Sequence, residues 1–351
     1  MFIRNNWYVG AWSSELEGGS IVARTICGEP IAFYRAGDTV AALEDRCCHR
    51  GLPLACGKVD GEILRCGYHG LEFDTSGACV RVPGQTRIPP GARVRSYPVV
   101  EQDGLVWVWP GDPERIDGAV PPSFHWHVTP GWAWRPEYKL VHANFVMLSD
   151  NLLDLTHVGF VHGSTLGGDT TDHAAARLDV TRSENRVRVA RVMRDTIPGP
   201  FHVRAGGFTG RVDRYQLIDF TPGLVIIDSG MTEVGRLGAD CSVAPGTFNL
   251  NKVGFNGLTP ETEHTTHYFW SMTHTAGAGD PAAEDAFFAD IKHTFDEDFE
   301  ILDRQYARRR SLPEATYIDV DFDRAGLQAR RILERRIAEE RDQQQRQHSL
   351  A

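Results

Sequence analysis

The chain has 351 residues, 41% of them hydrophobic, and a formal net charge of −10, enough apolar material for two cored domains and far from a disordered composition. The acidic balance speaks against a nucleic-acid partner, since the one three-residue basic run is Arg308–Arg310. No run approaches the roughly 18 apolar residues of a membrane span, the opening MFIRNNWYVGAW lacks the basic-then-apolar layout of a signal peptide, and a cytoplasmic protein with no membrane partner is expected.

Up to about residue 110, short apolar runs alternate with turn residues: IAFYRAGDTVAALED, GEILRCGYHGLEFDTSGACV and GLVWVWPGDP. Such β-branched and aromatic runs, punctuated by AGD, VDGE and TSG, read as hairpins of a small antiparallel domain, residues 1–115. Of the cysteines, Cys27, Cys47, Cys48, Cys56, Cys66 and Cys79 crowd into this domain and Cys241 stands apart. In a reducing compartment, clustered cysteine reads as metal binding before disulfide.

Two segments there share a pattern. RCCHRG (46–51) and RCGYHG (65–70) set Cys47-x-His49 and Cys66-x-x-His69 on two glycine-flanked loops joined by the hairpin GKVDGEIL. Structural zinc accepts two sulfurs and two nitrogens but spaces each ligand pair about two to five residues apart. A Rieske [2Fe–2S] cluster puts both cysteines on one iron and both histidines on the other, so each loop gives one ligand to each iron and a one-residue gap suits it. Zinc and plain core packing remain the alternatives.

These loops resemble the Rieske domain of bacterial ring-hydroxylating oxygenases. By that resemblance Cys47 is the ligand and Cys48 fills a slot where many relatives have proline. The extra cysteines of respiratory Rieske proteins are replaced here by Leu52 and Tyr68, which favours the oxygenase branch. Cys48, Cys56 and Cys79 then read as small buried hydrophobes.

PGDPERIDGAVPPS (110–123), rich in proline and glycine and without periodicity, marks the boundary to a second domain, residues 116–351. There residues 145–158 read as helix, 178–275 alternate like strands, 281–310 carry a long helical pattern, and a last helix starts near 322. Its glutamine-rich tail, DQQQRQHSLA, is expected to fray. The fold class is α+β: an all-β domain followed by an antiparallel sheet with a long helix.

DNLLDLTHVGFVH (150–162) contains Asp154-x-x-His157-x4-His162. Asp154 and His157 share a helical face at i, i+3. His162 lies about 140° round a straight helix from His157, so the helix is expected to end or distort near Gly159 for both imidazoles to reach one atom. Two imidazoles and one carboxylate form the facial triad that leaves positions on ferrous iron open for oxygen and substrate.

The long helix offers the third ligand. Its apolar stripe runs Phe288, Ile291, Phe295, then Asp298, then Leu302. A carboxylate buried without a partner costs several kcal/mol, and a metal ion removes the objection; a salt bridge with Arg304 or the Arg308–Arg310 run is the alternative. Asp296, Glu297, Glu300 and Asp303 lie off the stripe and read as solvated charges.

Together with PGQTRIPP, RSYPVVE, VWVWPGDP, TPETE and DEDFEIL, these segments extend the resemblance over nearly the whole chain, to oxygenase components of the vanillate O-demethylase and toluenesulfonate methyl-monooxygenase group. The resemblance implies a helix-grip catalytic domain and a mononuclear Fe(II) held by His157, His162 and Asp298. It implies also that Asp154 bridges to the Rieske histidine, His69, of a neighbouring subunit in a homotrimer. Electrons are expected from a separate NAD(P)H-dependent flavin and iron–sulfur reductase, because the chain has no GxGxxG motif.

The implied reaction uses O2 to oxidise a methoxy or methyl substituent of a small aromatic acid, giving a phenol with formaldehyde or a benzylic alcohol. Ring hydroxylation or dioxygenation is one alternative. Another is a Rieske electron carrier or redox sensor whose second domain only binds a ligand, for which the triad has no use. Asn256 is the substrate contact the resemblance suggests, whereas His264 and His267 read equally as strand residues facing solvent. Arg204, Arg211 and Arg214 are candidate cations for an acid substrate, each readable also as an exposed strand residue.

Overall fold

The structure, a computed structural model, describes residues 2–243, 249–275 and 279–350. It divides into two units, one of Met1–Phe124 with Thr259–Glu263 and Ile337–Ala351, the other of His125–Leu258 with His264–Arg336. The division expected at residue 115 therefore misses two returns of the chain to the first unit. Hydrogen bonds account for both. Cys27 and Gly28 donate their backbone N–H groups to the carbonyls of Pro260 and Glu261, and the buried Glu340 carboxylate accepts from the N–H groups of Arg4 and Asn5 at 2.8 and 2.9 Å.

The N-terminal part of the first unit is built, among the described residues, from the strands β1 (Tyr8–Trp12), β2 (Ile21–Ile26), β3 (Glu29–Ala36), β4 (Thr39–Glu44), β5 (Lys58–Asp60), β6 (Ile63–Arg65), β7 (Glu72–Phe73), β8 (Cys79–Arg81), β9 (Val99–Gln102) and β10 (Leu105–Val108). They form antiparallel sheets in the orders β1-β10-β9, β2-β3-β4 and β5-β6-β7-β8. Strand side chains alternate between faces, and β3 uses both: Ile31 and Phe33 pack with Tyr8 and Val106, while Tyr34 and Ala36 pack with Leu43, Leu64 and Phe73. The second core also takes in Cys47 and Cys66, so the hairpin sheet and the two Cys–His loops share one apolar floor.

The second unit begins with β11 (Glu137–Val141) and the helices α1 (Phe145–Leu153), α2 (Val158–Val161) and α3 (Thr170–Ala174). β12 (Arg177–Arg182), β13 (Val187–Thr196), α4 (Pro200–Gly206), β14 (Val212–Thr221), β15 (Leu224–Glu233), β16 (Asn249–Pro260), β17 (Thr266–His274), α5 (Pro281–Ser311) and α6 (Arg324–Leu350) follow. The strands make one antiparallel sheet of order β11-β17-β16-β15-β14-β13-β12. α5 starts on Pro281, with the Asp280 carboxylate accepting from the N–H of Ala282, and ends on Arg308–Arg310, cations placed where the helix dipole is negative. Its buried face includes Phe287, Ile291, Phe295, Phe299 and Leu302; Phe295 stacks on Trp270 of β17 at 4.2 Å and Phe287 on His274 at 3.6 Å.

α6 stays helical through the glutamine-rich tail to Leu350, where fraying was expected. Among the described residues, no helix is long and apolar enough to cross a membrane.

Candidate metal centres and substrate pocket

The two Cys–His loops are closed by the same backbone bonds. Cys47 N–H donates to the carbonyl of Leu52 and Gly51 N–H to that of Cys47; Cys66 N–H donates to Leu71 and Gly70 N–H to Cys66. Gly51 and Gly70 turn each loop at φ +75° and +72°, a left-handed conformation that costs glycine least. Both thiols are buried, both imidazoles are exposed, and the rings of His49 and His69 lie 4.6 Å apart. Two sulfurs below and two nitrogens above match the ligand set a [2Fe–2S] cluster needs.

Tyr68 packs on His69 at 3.8 Å. A cleft of about 520 Å³ beside the histidines is bordered by Cys48, Pro83, Gln85, Pro89 and Pro90, so the PGQTRIPP segment shapes the approach to the exposed imidazoles. Of the cysteines read as packing residues, Cys79 is buried and Cys48 half-buried, but Cys56 is exposed. The 3-10 turn Leu54–Cys56 leaves it on the surface, and its carbonyl lies where a Cβ on Gly67 would come within 2.3 Å.

In the second unit the backbone leading into the two histidines differs from the expected helix, and the change comes before His157. α1 stops at Leu153 and Asp154 is extended, with φ −111° and ψ 98°. The Asp154 carboxylate accepts from Thr156 N–H at 2.8 Å, capping a 3-10 turn at Leu155–His157, so Asp154 and His157 do not share one continuous helical face. The break falls five residues before Gly159, and α2 passes through that glycine to end with His162 as its C-cap.

This geometry turns both rings toward α5. His157 donates from Nδ1 to the carbonyl oxygen of Asp154 at 2.6 Å, and a carbonyl can only accept, so Nε2 carries the lone pair when the ring is neutral. His162 Nδ1 donates to the Glu297 carboxylate at 2.8 Å, which also accepts from the Thr165 hydroxyl. Both Nε2 atoms face Asp298, 3.4 Å from Oδ1 for His157 and 3.2 Å from Oδ2 for His162. The three residues can each offer one atom within 4.8 Å of the other two, and Asn151 donates to Asp298 at 3.1 Å.

Burial raises the Asp298 pKa, but the two imidazoles outweigh it and hold the carboxyl well below the usual range. Burial likewise opposes a charged His162, yet Asp298 and Glu297 together raise its pKa. Two nitrogens and one carboxylate oriented from behind by hydrogen bonds fit a divalent iron. Arg304 pairs with Glu300 instead of Asp298. Glu297, read from sequence as a solvated charge, is the partner of His162; helical rotation of about 100° per residue lets adjacent residues serve opposite sides of one ring.

A cavity of about 70 Å³ lies between His157, His162 and Asp298 on the helical wall and the sheet. Leu152, Leu155, Val158 and Phe295 continue the helical wall, and Arg214, Gln216, Ser229, Lys252, Asn256 and Met272 line the sheet side. Asn256 lines the cavity, and its carboxamide donates to the Val225 carbonyl and accepts from the Tyr268 hydroxyl. His264 bonds Tyr306 and buried His267 bonds Tyr138; His267 does not face solvent.

Among the three candidate arginines, Arg204 is paired with Asp290 and Arg211 with Asp195 at the surface, whereas Arg214 is buried on the pocket wall. Lys252 was not singled out from the sequence. Its signal was strand alternation, because Lys252 and Asn256 lie four residues apart on one face of β16.

Beside His157, a cleft of about 340 Å³ is lined by the half-buried Asp154 and Asn151 and by Ile301, Tyr317 and Ile318.

Residues 6–98 match the Rieske [2Fe-2S] domain family and residues 141–339 the Vanillate O-demethylase oxygenase C-terminal domain family. The iron–sulfur subunit of the toluene-4-sulfonate monooxygenase system of Comamonas testosteroni is 35% identical, over 97% of this chain and 98% of its own. A vanillate O-demethylase oxygenase subunit of Pseudomonas sp. strain ATCC 19151 is 36% identical over 90% of this chain and 96% of its own. Dicamba monooxygenase bound to 3,6-dichlorosalicylic acid superposes with a TM-score of 0.89 at 30% identity, covering 97% of this chain and 98% of that one.

Proposed function

The chain belongs to the Rieske oxygenases with a vanillate O-demethylase type of C-terminal domain, and from that premise we propose that it oxidises a methyl or methoxy substituent of an aromatic acid. Membership makes it the terminal oxygenase component of a monooxygenase system, with a Rieske [2Fe–2S] cluster and a mononuclear iron as cofactors. The observation that carries the reading is the convergence of His157, His162 and Asp298 on one wall of a pocket.

In this reading Cys47, His49, Cys66 and His69 hold the cluster, and His157, His162 and Asp298 hold the iron. When bound, these groups supply electron storage and dioxygen activation. The chain's own residues do the rest. Asp154 and Glu297 fix the imidazoles so that both Nε2 atoms point inward, and Leu152, Leu155 and Phe295 keep water from the site.

The Asp154 carboxylate accepts from Thr156 N–H and lines the cleft beside His157, the side on which His69 of a neighbouring copy would meet it. A head-to-tail homotrimer provides that neighbour. A separate NAD(P)H-dependent flavin and iron–sulfur reductase is the electron donor.

A single turnover tests the reaction: chemically reduced protein is mixed with O2 and a panel of methoxylated and methylated aromatic acids and sulfonates. Formaldehyde with loss of a methyl group identifies O-demethylation; one added oxygen without formaldehyde identifies methyl hydroxylation. Oxygen found only on the ring, or no product from protein holding both cofactors, overturns the substituent reading.

A further inference from the structure

The sheet wall of the pocket carries a polar row that the assigned chemistry does not use. Arg191 of β13 lies opposite Gln216 of β14, Gln216 opposite Ser229 of β15, and Ser229 opposite Lys252 of β16; Arg214 sits two residues from Gln216 on the same face. Arg191, Arg214 and Lys252 are 2–4% exposed. Among the described residues none of them has a carboxylate at salt-bridge distance; their hydrogen bonds go to neutral groups.

The hydrogen bonds within the row fix what it shows to the cavity. The Gln216 oxygen is taken by Arg191 at 2.8 Å, so its amide group is left to donate. Ser229 accepts from Lys252 at 2.8 Å, so its own O–H points elsewhere. Lys252 keeps two ammonium donors, and among the described residues only Nη1 of the Arg214 fork is engaged, in contacts of 3.1–3.3 Å. A wall of donors with uncompensated charge is complementary to an anion and to little else.

The three cations differ in which acids lie near them. Arg191 lies in the field of Asp154 and Lys252 in that of Asp228, though Asp228 is on the opposite face of the sheet, in register with Val253. Arg214 has burial and Arg191 against it and no acid in its favour. The nearby imidazoles, His173 and His202, are kept neutral by burial and by these same cations. Arg214 is therefore the cation least compensated by an acid.

We propose that Arg214 and Lys252, assisted by Ser229 and Gln216, seat a single monoanionic acid group of the aromatic substrate, carboxylate or sulfonate, so that the pocket selects acids over neutral rings of the same shape. This rests on reading the pocket as the substrate site. The helical wall presents the iron ligands and the sheet wall grips the acid, which holds the remote end of the ring across the cavity. A neutral ring leaves the donors unpaired and is rejected for that reason.

The test is calorimetric titration of the full-length protein carrying both cofactors with 4-methylbenzenesulfonate, 4-methylbenzoate and neutral 4-methylbenzamide. The acids are expected to bind at least about tenfold tighter than the amide. Arg214→Gln should erase the preference, Arg214→Lys restore part of it, and Lys252→Met weaken it. If Arg214→Gln does not fold, the other two variants carry the comparison. Equal binding of amide and acid, or an acid preference that survives all the folded variants, overturns the proposal.

The two acids separate a seat for sulfonates from one for carboxylates. Acid binding that depends on Arg214 but leads to no oxygen insertion would sink the substrate-oxidation reading and leave the seat. Oxygen insertion into the amide as fast as into the acids, unaffected by Arg214→Gln, would do the reverse.

Discussion

Glu297 accepts a 2.8 Å hydrogen bond from Nδ1 of His162, while the next residue in the same helix, Asp298, faces Nε2 of that ring at 3.2 Å. Consecutive carboxylates thus address opposite nitrogens of one imidazole. Against burial, both raise the pKa of His162, Asp298 more than Glu297, while Glu297 holds the ring by Nδ1.

Glu297→Gln keeps an acceptor at His162 but removes the charge. Mononuclear iron should bind roughly 10–100-fold more weakly, as for other losses behind a metal-bound histidine. Competition with a chelator measures it. Unchanged iron affinity would reduce Glu297 to a packing role.

Asp298→Ala should release the mononuclear iron and abolish turnover while the visible absorption of the cluster stays the same, because the two donor sets share no residue. Iron analysis alongside the spectrum checks both halves. Iron retained at full occupancy would remove Asp298 from the ligand set.

Gly67→Ala should do the opposite. A Cβ there lies 2.3 Å from the Cys56 carbonyl oxygen, and backbone on both sides leaves no flexible end to give way. The cluster loop must shift, so cluster content should fall while the mononuclear site still binds iron. A full cluster spectrum in the variant would show that the loop relaxes cheaply.

Lys252 gives the pocket a pH dependence. Burial, then Arg214, against the weaker pull of Asp228, push its pKa down from 10.5 to about 7, with neutral His202 also beside it. Between these values the unfolded chain binds more protons than the folded one, so this group's contribution to the stability of the ligand-free protein rises with pH across the window from about 7 to 10.5. An acid ligand favours the charged ammonium. Its affinity should therefore fall as pH rises above about 7, and binding at pH near 8 should take up a fraction of a proton. Titration in buffers of different ionisation enthalpy reads the uptake, and Lys252→Met should abolish it; uptake that persists in the variant assigns it to another group.

Local spacing carried much of this protein's chemistry. Cys47 with His49, Cys66 with His69, and His157 with His162 are candidate pairs within a few residues, so the linear pattern alone brings them together, and Asp298 stands out by interrupting an apolar helical stripe. Only the tertiary structure decided the rest. Glu297 depended on the rotation of α5 about its axis, the helix break at Asp154 on a capping bond that periodicity does not encode, and the returns at 259–263 and 337–351 on contacts across most of the chain. The row from Arg191 through Gln216 and Ser229 to Lys252 exists because four strands pair in one register, and a slip of one residue would turn a strand's contribution to the other face.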